Sequence, residues 1–199
     1  MSGIIAQNTL DSSGLIKAPA GGGAWTLISK TTASSSSTIS ITSGIDSTYK
    51  KYLITCTGIH VSGDDTSFQL NGSTDGGSNY NVSKTAALFK SRHNEGDSVA
   101  SLVFMNGYGN STGFVNCAEG CGSDNDQVQA GYIELYDPSN TTYIKNFLQS
   151  FAAHRHADTS VLIKGGGFYN TTSALNAIQF KMTSGNIDAG DFCLYGLTT

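Results

Sequence analysis

Ala177-Ile178-Gln179-Phe180-Lys181-Met182 places Ile178, Phe180 and Met182 on one side of an extended chain and Ala177, Gln179 and Lys181 on the other. Successive side chains of a β-strand point to opposite faces, so this alternation describes a strand with one face in a core. Thr183-Ser184-Gly185-Asn186 then supplies turn chemistry before Ile187-Asp188 opens the next run. A similar stretch, Ile41-Thr42-Ser43-Gly44-Ile45-Asp46, follows the alternation of Ile39 and Ile41 with Thr38, Ser40 and Thr42. Two copies are too few for a repeat architecture, so they read as two similar connections within one fold.

The same period governs most of the chain. Tyr52, Ile54 and Cys56 share a face, as do Phe68 and Leu70, Val99, Ser101, Val103 and Met105, and Ile133 and Leu135. Turn formers separate these runs: Gly63-Asp64-Asp65, Asp75-Gly76-Gly77, Asn106-Gly107, Asp137-Pro138-Ser139-Asn140 and Gly165-Gly166-Gly167. About ten strands fit between them, at lengths usual for an antiparallel sandwich. One exception is expected at Thr85–Arg92, where Ala86, Ala87, Leu88 and Phe89 lack β-branching and suit a helical turn or two. The fold class is all-β: an antiparallel β-sandwich with a jelly roll as the expected topology.

Composition narrows the function. The chain has 199 residues, enough for one sizeable core, and only 13% are charged. A net charge of −4 without a Lys/Arg run gives no footprint for nucleic acid or an anionic membrane. No apolar stretch has the length of a spanning helix. Met1-Ser-Gly-Ile-Ile lacks a basic region leading into a long apolar core, so no secretory signal is read and folding in a cytoplasm is expected. On that expectation the sequons at Asn71, Asn81, Asn110, Asn140 and Asn170 carry no glycan.

Residues 1–24 differ from the rest. Ile4, Ile5, Leu15 and Ile16 are set in polar sequence that ends in Ala18-Pro19-Ala20-Gly21-Gly22-Gly23. A Gly triplet after Pro makes a joint. The reading is an extended N-terminal arm over 1–24 and a β-sandwich domain over 25–199, with the four apolar residues as an assembly arm that orders on a neighbouring chain.

Candidate chemistry is sparse. Cys56 and Cys193 sit in strand-like runs, while Cys117 and Cys121 flank Ala-Glu-Gly in a Gly-rich stretch read as a loop, open to a local disulfide or half a metal site. His154 and His156 share a face of a strand end, and a metal there needs a third ligand such as His60 or His93. Asp124-Asn125-Asp126, Asp64-Asp65 and Asp75 read as turn initiators before they read as calcium donors. No nucleophile elbow, protease cysteine signature or phosphate loop is present, so no catalytic residue, cofactor or metal is assigned and no enzymatic activity is expected. Tyr80, Tyr108 and Tyr169 lie near loops and are the candidates for a binding surface, since tyrosines suit both sugar stacking and protein interfaces.

Several stretches are similar to a β-domain of tailed-bacteriophage virion surface proteins. They are Trp25–Lys30, Ile39–Tyr49, Ser73-Thr-Asp-Gly-Gly-Ser-Asn-Tyr80, Gly131–Tyr143, Asn176–Asp188 and Leu194-Tyr-Gly-Leu197. Met1-Ser-Gly-Ile-Ile with Gly14-Leu15-Ile16 resembles the arms of such proteins. The resemblance covers most of 25–199 and is weakest between about 84 and 128. It implies a structural virion component located in the virion, of the capsid-decoration, head-fibre or tail-fibre type. The expected partners are the major capsid protein or other virion proteins and further copies of the chain, with a trimer favoured. The alternative is a tail-fibre or tail-tip module that binds a host glycan.

Overall fold

The computed structural model describes residues 24–198. Twelve strands and no helix make up this part: β1 (Trp25–Ser36), β2 (Thr38–Ile41), β3 (Lys51–Val61), β4 (Thr66–Ser73), β5 (Lys84–Asn94), β6 (Ala100–Met105), β7 (Val115–Cys121), β8 (Gln129–Tyr136), β9 (Lys145–His154), β10 (Thr159–Tyr169), β11 (Ala177–Met182) and β12 (Ile187–Leu197). All pairings are antiparallel.

The strands form an eight-stranded sheet, β1-β12-β3-β8-β9-β10-β5-β6, facing a four-stranded sheet, β2-β11-β4-β7. The first four strands of the large sheet and all four of the small one constitute a jelly roll. Taking these eight strands alone, the chain crosses between sheets at β1–β2, β2–β3, β3–β4, β7–β8, β8–β11 and β11–β12, the interleaved order of two Greek keys. Two hairpins are inserted into this frame. β5–β6 lies between β4 and β7, β9–β10 lies between β8 and β11, and the antiparallel pairing of β10 with β5 fuses them into an extension of the large sheet.

The core follows the period-two reading. Tyr52, Ile54, Cys56, Phe68, Leu70, Ile133, Leu135, Ile178, Phe180 and Phe192 are all buried between the sheets. Phe68 of the small sheet stacks on Phe180 at 5.5 Å and meets Phe151 and Phe192 of the large sheet at 5.8 and 6.1 Å. The two similar connections do the same work, carrying the chain from a small-sheet strand (β2, β11) to a large-sheet strand (β3, β12). In the first, the buried Tyr52 hydroxyl donates to the Asp46 carbonyl at 2.9 Å and accepts the Asp46 N–H at 3.1 Å.

Three local expectations are corrected. Thr85–Arg92 is not helical but lies within β5, where backbone pairing on both sides with β10 and β6 overrides a weak helical preference. Gly165-Gly166-Gly167 is not a turn but the interior of β10. A Cβ at each would run into the backbone oxygen of Ala87, Phe147 or Thr85, so the triplet lets β9, β10 and β5 close up. Cys117 and Cys121 are not in a loop; both are buried on β7, and all four cysteines are free thiols. The arm residues Ile4, Ile5, Leu15 and Ile16 lie outside the described residues.

Candidate interaction surface

The inserted hairpins reach past the small sheet. β9 packs on β7, its Gln149 donating from Nε2 to the Asn116 carbonyl at 2.8 Å. β7 is the edge of the small sheet, so β5 and β6 project beyond the jelly roll. Their inward side is closed at its base by an ion pair, Lys90 Nζ to Glu119 Oε2 at 2.5 Å. Burial raises the Glu119 pKa, but hydrogen bonds from Lys90 and Asn116 outweigh this and hold the carboxyl below its ordinary value.

The outward side of the extension is mostly apolar, with the exposed Lys164 set in it. Register brings Leu148 of β9, Gly166 of β10 and Ala87 of β5 into one row, and Lys164, Phe89 and Phe104 into the next. A third row runs from Ala152 through Leu162 and Ser91 to Leu102. Phe89 and Phe104 meet edge to face at 5.5 Å, a cross-strand pair that holds β6 to β5. These side chains are open to solvent: Leu102 is 73% exposed and Phe104 50%. Beside them a groove of about 500 Å³ is lined by Ala87, Phe104, Tyr108, Gly166 and Phe168. Apolar side chains of neighbouring strands thus form one contiguous exposed face, the kind of surface that marks an interaction site.

The outward side of the small sheet is its chemical opposite. Gln179 donates to Ser40 Oγ at 3.0 Å, Gln69 donates to Asn116 Oδ1 at 2.7 Å, and Asn116 donates to Glu119 Oε1 at 2.8 Å. These linked amide and carboxylate side chains make the small-sheet face polar.

The tyrosines singled out in the sequence do not gather into one site. Tyr169 is a correction: it is wholly buried, because β10 continues through the glycine triplet and the alternation turns Tyr169 inward against Phe147, with ring centroids 5.3 Å apart. Tyr108 is half-buried against the core and its hydroxyl accepts the Asn116 N–H at 3.4 Å, although its ring also borders the apolar groove. Tyr80 is half-buried over the Asp75–Gly77 turn, with its hydroxyl shut from solvent. His154 and His156 accompany the end of β9, where their Nδ1 atoms lie 3.0 and 3.1 Å from the carbonyls of Asp126 and Gly120. Among the described residues no three His, Cys, Asp or Glu side chains are grouped to hold a metal ion. Asp75 instead organises its own turn, bonded to Ser73 and Asn79, whose hydrogen bonds lower its pKa to about 2.

The apolar face is not among the candidate sites that the sequence pattern offers. Its signal is Ser101-Leu102-Val103-Phe104, where residues of both parities are apolar, a strand that wants cover on both sides.

No protein-family model, no curated protein and no solved structure matches this chain.

Proposed function

We propose that the chain is a non-enzymatic structural protein of a bacteriophage virion, a capsid decoration protein that binds the shell and neighbouring copies of itself. The observation that carries this reading is the exposed apolar face of the β9-β10-β5-β6 extension. The extension is an addition to a complete jelly roll, and its inward side joins the core through Phe147, Phe151, Ile163 and Leu88, but this outward face lies outside the core, so its residues are explained by contact with another protein. The resemblance read in the sequence to virion surface domains points to the same class, and the polar small-sheet face suits the side turned to solvent.

Dispersal of the tyrosines bears on the alternative. A glycan platform needs aromatic rings displayed together beside hydrogen-bonding side chains, whereas Tyr169 is in the core and Tyr80 and Tyr108 are half-buried. Assembly is the better-supported role.

Gold-labelled antibody against the chain, applied to intact particles and viewed by electron microscopy, tests the proposal. Label spread over the head is the expected result. Label confined to the tail tip would replace decoration with receptor binding, and unlabelled particles would overturn both.

A further inference from the structure

The sandwich has four sheet edges, and three of them carry a device against pairing with another strand. β1 bears Lys30 and a register shift between Leu27 and Ser29; β2 is only four residues long; β7 pairs irregularly with β4 and bears Glu119. β6 carries none. Ala100-Ser101-Leu102-Val103-Phe104-Met105 has no charge and no proline, pairs with β5 without a register shift, and has no partner on its other side among the described residues. Five of its six residues are exposed. A straight, uncharged, apolar edge of this kind is a template for another strand.

We infer that the open edge of β6 pairs with β6 of a second copy of this chain, antiparallel about a two-fold axis, joining two eight-stranded sheets into one. This rests on the assembly reading above and names its contact. Charge admits a second copy as the occupant and selects the direction. The β5–β6 turn carries Glu95 and Asp97, while the residues after β6, Asn106-Gly107-Tyr108-Gly109-Asn110, carry no charge. Antiparallel pairing sets each charged turn beside the neutral segment of the other copy; parallel pairing would set Glu95 and Asp97 against themselves. Directly opposed residues of an antiparallel pair point to the same face. With Val103 on the axis, Leu102 therefore opposes Phe104 of the second copy, and the two apolar faces run together into one. The contact is two-fold, in place of the three-fold arrangement expected from the sequence.

Sedimentation of the purified full chain at micromolar concentration tests this without any particle, so it succeeds or fails independently of where antibody finds the protein. The expected species is a dimer. Leu102→Lys with Phe104→Lys opposes like charges across the axis at two exposed positions, and weakens self-association by more than about tenfold while the far-ultraviolet spectrum stays that of a β-sandwich. Leu148→Lys, on the same face but three strands inboard, leaves the dimer intact, and amide exchange across 100–105 slows as concentration rises. A monomeric wild-type chain, an odd-numbered oligomer, an oligomer that the double variant leaves intact, or one that Leu148→Lys dissolves overturns the pairing.

Discussion

Lys84 Nζ lies 2.7 Å from Asn71 Oδ1, and both residues are wholly buried. The ammonium also donates to the carbonyls of Gly113 at 2.5 Å and Val82 at 3.2 Å, so all three of its protons are used, and no carboxylate among the described residues is bonded to it. Asn71 in turn donates from Nδ2 to the carbonyls of Tyr80 and Thr112 at 2.7 and 2.9 Å. One buried cation and one buried amide thus hold together β4, the start of β5 and the loop that leads into β7. They fix the point at which the β5–β6 hairpin leaves the jelly roll.

Burial without a countercharge pulls the Lys84 pKa down to about 8, against about 10.4 in an unfolded chain. Between those values the unfolded state holds a proton that the folded state has released, so this group's contribution to stability rises with pH over that window. Below about pH 8 both states are protonated and the burial penalty is felt in full. Lys84→Met removes the effect together with the charged donor shared by two acceptors: Asn71 Oδ1 keeps the Gly72 N–H at 2.8 Å and the Gly113 carbonyl keeps only Asn71 Nδ2 at 3.5 Å, for a loss of roughly 1–3 kcal/mol in all. In urea titrations the gap between wild type and variant widens from pH 8 to 10; a gap independent of pH would refute the lowered pKa.

Phe68 is the ring on which the two sheets meet, in contact with Phe151, Phe180 and Phe192. Phe68→Ala opens a cavity bordered by both layers, which neither sheet can close without moving as a unit. The expected loss is about 3–5 kcal/mol in the unfolding free energy, measured by denaturant titration. Phe104→Ala, on the open face, removes a ring of the same size and costs far less in the isolated chain.

The contrast between these two phenylalanines marks what the sequence discloses. Alternation around Phe68 and Phe180 is legible because one parity is apolar and the other polar, and Gly185 at φ +75 does what its place in a Thr-Ser-Gly turn suggests. Phe89 was hidden inside Ala86-Ala87-Leu88-Phe89, whose local preference is helical; only pairing with β10, some seventy residues further along, makes it a strand. Tyr169 was hidden by the glycines before it, since a triplet read as a turn interrupts the count of faces. The exposed face depends on both of these long-range facts. It was beyond reach of local pattern even though each of its residues is plain in the sequence.

Gly72 is set by packing alone. A Cβ there would sit 2.5 Å from Leu175 Cδ1 and 2.9 Å from Tyr169 Cε1, both in the core, so Gly72→Ala overpacks and costs roughly 1–3 kcal/mol. Gly63 has nothing within 4 Å of the same position and no positive φ, and Gly63→Ala changes stability by less than about 0.5 kcal/mol. Thermal melts of the two variants side by side separate crowding from any general intolerance of glycine replacement.

Thiol chemistry provides a direct check on the placement of β7. Cys56, Cys117 and Cys121 are buried, and burial pushes the first two thiols well up and Cys121 to about 11. Alkylation requires both thiolate and access, and these three have neither at neutral pH. Cys193 lies on the outward side of β12, half-buried beside Thr55 and Lys30 in register. Iodoacetamide at pH 8 therefore labels the folded chain at Cys193 alone, and labels all four sites after denaturation, as read by peptide mass spectrometry. Had Cys117 and Cys121 lain in an open loop, both would be modified in the folded protein; their labelling would displace β7 from the core and with it the support beneath β9.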